Sequence, residues 1–163
     1  MENQSAAYYI RTLNLLPHPE SGHYKETFRS ARQVNRVGAE DVKQACTSIY
    51  YLLENDDFSG FHRIASDELW YFHKGAPLLI HVIGPEGNLI SHELSDLDTG
   101  NFSVIVEAGS WFAAKIKTGA GFTLVSCAVA PGFDFNEFEM AKRDELIVKF
   151  PQHQELLTRL CRK

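Results

Sequence analysis

Cysteine is scarce in this 163-residue chain, and Cys46, Cys127 and Cys161 are odd in number and far apart. That excludes a disulfide framework and a zinc knuckle, and it suits a reducing cytoplasm, the expected location. Long apolar runs are missing too. Nothing approaches the ~18 apolar residues of a membrane span, and the opening Met1-Glu-Asn-Gln-Ser-Ala-Ala7 lacks a basic region followed by an apolar one. A soluble, unprocessed chain with no membrane partner is expected. Basic residues fall short as well: 16 Lys and Arg against 21 Asp and Glu leave a formal charge of -5, and the cations are scattered. Nucleic acid is therefore not an expected partner. No internal repeat and no low-complexity segment occurs. The length fits a single domain, residues 1–163, able to bury roughly 70% of the surface its unfolded form exposes.

What is present is mostly β pattern. Ser5 is an N-cap for a helix over about 5–16, with Ile10, Leu13 and Leu16 at helical spacing until Pro17. A Pro/Gly turn precedes a polar strand from Tyr24 to Ser30, and Gln33–Ala45, charged and without a sustained period, reads as an exposed connection. From Thr47 onward short strands alternate with turns: Ser48–Leu53, the region from Phe61 to Gly75, a hairpin of Leu78–Ile83 with Leu89–Leu94, then Phe102–Glu107, Trp111–Ile116 and Phe122–Ala130. Many short strands with no helix between them predict an antiparallel sandwich or jelly-roll barrel over about 24–130. The tail, about 131–163, changes period. Its phenylalanines at 133, 135 and 138 are suited to plugging a barrel end, Asp144 to capping a helical turn, and Pro151 to opening a last helix that turns Leu156, Leu157 and Leu160 to the sheet.

Candidate chemistry concentrates in Phe61-His-Arg-Ile-Ala-Ser-Asp-Glu-Leu-Trp-Tyr-Phe-His-Lys-Gly75, read as two strands joined by Ala65-Ser66-Asp67. Side chains alternate along an extended chain, so His62 and Ile64 share one face while Glu68, Trp70 and Phe72 share another. Pointed into one cavity they supply an imidazole, a carboxylate and an indole among apolar walls, a binding-site composition. The competing reading makes His62 and Glu68 a hydrogen-bonded pair that stabilises a β-core.

The same stretch resembles the first motif of the cupin superfamily, His-x-His-x-x-x-Glu followed after six residues by Gly, with His62, Glu68 and Gly75 at that spacing. The second motif, Pro-x-Gly-x-x-His, lines up with Glu107-Ala-Gly-Ser-Trp-Phe112, where Gly109 matches. Tyr24-Lys-Glu-Thr-Phe-Arg-Ser30, the His-Arg-x-x-Ser-Asp-Glu-x-Trp wording from His62 to Trp70, and Ala130-Pro-Gly-Phe-Asp-Phe135 resemble one small-protein branch of unassigned function. The resemblance implies a double-stranded β-helix with short terminal helices, paired as a homodimer. It also implies where a metal would sit, and there the chain departs. Metal-binding cupins use three histidines and a glutamate; here Ile64 and Phe112 occupy two of the four positions. His62 and Glu68 alone would hold a divalent ion weakly unless His73, His81 or His92 joined them. No cofactor is therefore expected.

Three functions stand open. In the first, a pocket without a required metal takes a small polar ring of the sugar, nucleotide-sugar or nucleobase type. Ile64, Trp70, Trp111 and Phe112 supply its surfaces and Glu26 its mouth, and in an enzyme His62 would be the general base, oriented by Glu68. Metal-free cupins that epimerise nucleotide-linked sugars lend this reading its reaction type. The second is a metal-dependent oxygenase or isomerase, and the third a non-catalytic metabolite-binding or interaction module.

Overall fold

A helix opens the chain where its cap predicts. The computed structural model describes residues 4–19, 21–38 and 41–162, and α1 spans Ala6–Leu13. The Ser5 hydroxyl accepts a hydrogen bond from the Tyr8 backbone N–H at 3.3 Å, satisfying one of the otherwise unpaired donors of the first turn. The helix stops short of Pro17 because Asn14 turns left-handed (φ 53°, ψ 51°) and closes it. Leu16–Pro17 then form strand β1 instead of the expected last turn. Ser5→Ala should cost about 1 kcal/mol of stability, read from urea midpoints; no change would show that the cap hydrogen bond contributes nothing.

The strands follow as β2 (His23–Arg29), β3 (Gln33–Asn35), β4 (Val42–Gln44), β5 (Thr47–Glu54), β6 (Phe58–Arg63), β7 (Asp67–Gly75), β8 (Leu78–Ile83), β9 (Leu89–Leu94), β10 (Ser103–Val106), β11 (Trp111–Ile116), β12 (Phe122–Ala130) and β13 (Glu139–Met140). Helices α2 (Arg143–Lys149) and α3 (Gln154–Leu160) end the chain, with a 3-10 turn at Pro151–His153 between them. One sheet runs β1-β2-β5-β12-β7-β10 and the facing sheet β13-β6-β11-β8-β9. This is the predicted mostly β jelly roll with short helices at both ends. The polar strand β2 pairs with β5 of its own barrel. Gln33–Ala45, expected as a plain connection, carries a two-stranded ribbon of β3 with β4. Three-residue strands are too short to show an alternation.

Burial follows side-chain parity. Tyr51, Trp70, Phe72, Val106, Val125 and Cys127 from the six-stranded sheet meet Leu78, Ile80, Phe112, Ala114 and Ile116 from the other in one interior cluster. The five-stranded sheet is covered on its second face as well, where Phe61, Ile83 and Trp111 pack under Leu146, Phe150, Leu157 and Leu160 of the terminal helices and the residue that joins them. That two-sided packing accounts for the burial of β6 and β11 along nearly their whole length. Asp144 lies in the first turn of α2 and is not its cap; the N-cap is Lys142, without a side-chain bond. Gly75 has φ 109°, and a Cβ there would overlap the Phe122 carbonyl oxygen. Glycine is what lets β7 lie against β12 at that point.

Candidate functional site

The connection between the two sheets is Ile64-Ala65-Ser66, one residue earlier than expected because Asp67 already pairs with Ala130 as the first residue of β7; β6 lies in one sheet and β7 in the other. His62 and Glu68 therefore reach the interior from opposite walls. Parity turns Phe61 to the helices and His62 inward, and in β7 it turns Glu68, Trp70 and Phe72 inward. A cavity of about 610 Å³ opens between the walls. His62, Ile64, Glu68 and Trp70 line it as expected, and Glu26 borders it.

Trp111 and Phe112 do not join them as walls of that cavity. Consecutive residues of one strand cannot both face inward, and Trp111 packs on the helical side, with the Arg63 guanidinium 4.6 Å from its ring centre. Arg63, also bonded to Glu139, is turned away in the same manner. Phe112 faces inward but sits behind His62, its ring centre 4.1 Å from the imidazole, fully buried. It supports a wall without forming its surface.

Several contributors escaped the sequence reading. His18 lines the cavity edge-on to Tyr24 (4.8 Å) and Tyr51 (5.4 Å). Tyr24 and Arg29 also border it, and the polarity of β2 was the available signal; Lys25, which the sequence offers with Arg63 as a candidate to hold a ligand phosphate, borders it as well. A register shift between Glu26 and Phe28 irregularly re-aims that strand. Arg29 is held in a two-pronged ion pair with Glu26, at 2.7 and 2.9 Å, so the mouth carries both charges. Phe133, Phe135 and Phe138 cover the opening, as their plugging role predicts. Cys127 lines it too, its thiol beside the Glu68 carboxyl and acting to lower its pKa.

The electrostatics reverse the expected pairing of His62 with Glu68. The His62 Nδ1–H donates to the Gly60 carbonyl at 2.7 Å, which assigns the tautomer and leaves Nε2 as the ring nitrogen with a free lone pair. Among the described residues no hydrogen bond joins His62 to Glu68. Burial pushes His62 down to about 4, against the opposing effect of the Gly60 bond. Burial pushes Glu68 up to about 7, the Cys127 thiol working the other way. Near neutral pH the imidazole is uncharged and the carboxyl is the group that exchanges a proton. Cys127 itself is pushed well above the usual thiol range, mainly by burial, so it is no ready nucleophile.

A metal fits this donor set poorly. Ile64 and Phe112, both buried, stand where two histidines would be needed. His73 meets the Ser126 hydroxyl and His81 that of Ser91 at 2.7 Å, and neither these nor His92 borders the cavity. Among the described residues no three His, Cys, Asp or Glu side chains are grouped to share an ion. No helix among them is long and apolar enough to cross a membrane.

Comparison with known proteins agrees with this architecture. The profile of a family described as Cupin superfamily (DUF985) matches residues 7–141. An uncharacterized protein of Saccharomyces cerevisiae is 30% identical over 154 residues, 84% of this chain and 76% of that one. A hypothetical protein from Leishmania major superposes with a TM-score of 0.89 at 33% identity, covering 98% of this chain and 99% of that chain. At 14% identity, a cupin 2 domain-containing protein from Halorhodospira halophila shares the fold with a TM-score of 0.58, over 91% of this chain and 88% of its own.

Proposed function

Since the chain belongs to the DUF985 family of the cupin superfamily, we propose that its barrel cavity binds a small polar ring, of the sugar, nucleotide-sugar or nucleobase type, and moves a proton on it without a resident metal. The observation that carries this reading is the buried pair of opposite walls: a neutral imidazole facing a carboxyl whose proton is exchangeable near pH 7. A general acid–base group works best when its pKa lies near the operating pH. Glu68 is therefore the base that takes a proton from a carbon next to a carbonyl and returns it on the isomerised product. His62 Nε2 accepts a hydrogen bond from a ligand N–H or O–H and fixes its orientation. Tyr24, Trp70 and Phe138 offer ring faces at the low conformational cost typical of aromatic walls. The two-ligand donor set supports a metal-free site, because catalytic zinc uses three protein ligands and non-haem iron two histidines with a carboxylate.

A homodimer belongs to the same proposal. Its support is the exposed apolar surface of Tyr71, Phe102 and Ile105 along the β7–β10 edge. Native mass spectrometry of untagged protein, with elemental analysis of the same sample, tests both statements. A dimer retaining a cyclic small molecule and no stoichiometric transition metal is expected. A stoichiometric metal would overturn the metal-free reading, and a single chain at micromolar concentration would remove the dimer.

A further inference from the structure

We propose that Arg36 and Lys43, which do not line the cavity, are positioning residues that seat the aromatic cover, residues 133–138, over His62 and so set access to the site. The inference takes the cavity as the binding site, as argued above, and adds the device that holds it shut.

Lys43 lies on β4, a three-residue strand at the surface, yet it is only 7% exposed. A lysine is rarely buried to that extent without partners. Its Nζ lies 3.0 Å from Asp41 Oδ2, 3.3 Å from Asp134 Oδ2 and 3.6 Å from Glu137 Oε1. Arg36 donates to both oxygens of Glu137, at 2.6 and 3.3 Å, and to the Ser66 hydroxyl at 2.8 Å. Asp134 and Glu137 belong to the cover, and Ser66 to the turn that leads into Glu68. Two cations of the ribbon segment thus hold the cover, and Arg36 ties it to the β6–β7 connection that leads into the proposed base. Such a two-pronged arginine contact fixes direction as well as distance.

The cover needs this anchorage. Phe133, Phe135 and Phe138 pack against one another at 5.0 to 6.5 Å between ring centres, and Phe138 stacks on His62 at 5.1 Å and 28°. Phe135 is nevertheless 65% exposed and Phe133 and Phe138 are only half-buried, so burial alone holds the cluster incompletely. Loss of the Lys43 charge would leave Asp41 and Glu137 with Arg36, and Asp134 with the more weakly acting Arg29, as their remaining cations. Their mutual repulsion acts on the segment that carries Phe138.

Trp70, 2% exposed and lining the cavity, is a built-in reporter of access. The chain has two tryptophans, so Trp111→Phe leaves Trp70 as the single tryptophan, read at the red edge of excitation where tyrosine does not absorb. Acrylamide, an uncharged quencher, is insensitive to the altered charge and reports opening whatever the natural ligand is. In this background Lys43→Met is expected to raise the Stern–Volmer constant by at least ~3-fold, as for a locally opened segment, while far-ultraviolet circular dichroism stays native. Lys43→Arg should restore the parent value. Asp134→Asn, which retains an oxygen for the Asn136 N–H bond now made at 2.9 Å, should also raise quenching and serves if Lys43→Met fails to fold. Unchanged quenching in a folded Lys43→Met or Asp134→Asn protein overturns the proposal. Failure of the ligand experiment alone would leave these outcomes standing.

Discussion

Phe112→Ala is expected to remove about 3–5 kcal/mol of stability, the range for emptying a fully buried aromatic position. Phe112 has no exposed surface. Its ring packs at 4.1 Å on His62 and edge-on at 6.4 Å and 85° to Trp70, so the interior cannot collapse into the space without disturbing both cavity walls. A loss of that size is a large share of the ~5–15 kcal/mol available to a typical domain. Urea unfolding followed by circular dichroism measures it directly. The same change admits water beside the imidazole, so histidine titration by nuclear magnetic resonance should place His62 above its parent value of about 4, moving toward 6.5. A cost below about 1 kcal/mol would mean that Phe112 is not the tightly packed support described.

Glu68→Gln should change the pH dependence of stability more than its size. Burial raises the native Glu68 value from 4.5 to about 7, so between those values the folded chain binds more protons than the unfolded one. The contribution of Glu68 is present in full below pH 4.5 and is lost as pH rises through 7. Its loss amounts to about 3 kcal/mol at roughly 1.4 kcal/mol per pH unit. His62, lowered from 6.5 to about 4, acts with the opposite sign: its contribution is present above pH 6.5 and is lost as pH falls through 4. The two slopes oppose each other between pH 4.5 and 6.5 in the parent protein. Glutamine abolishes one of them, so the variant's urea midpoint should climb across that interval while the parent's stays nearly level. Parallel profiles for the two proteins would show that Glu68 remains charged from about pH 5 upward.

Much of this architecture is legible before folding. Strands β11 and β12 begin and end where the turn residues around Gly109 and Gly119–Gly121 place them, and parity in β7 puts Glu68, Trp70 and Phe72 on one face. Parity also rules out a shared cavity for Trp111 and Phe112, a conclusion that requires applying the same alternation to neighbouring residues. Other features depend on contacts distant in the chain. The tautomer of His62 comes from the Gly60 carbonyl, its desolvation partly from Phe138, and the state of Glu68 from its burial and from Cys127 on β12. Local spacing contains neither a facing wall nor its dielectric. The residues of β2 that border the mouth are polar and short of an apolar period, which marks them as unlike core without saying what they face.

The strand order carries one last consequence, for the making of the molecule. β12 sits between β5 and β7, and it is the last of the long strands to be synthesised. Until residues 122–130 have left the ribosome, Thr47–Glu54 and Asp67–Gly75 have no backbone partner on the sides that β12 will occupy. The nascent chain therefore exposes two open edges from the emergence of Gly75 until that of Ala130, and barrel closure awaits a late, long-range insertion of the kind that makes all-β folding slow.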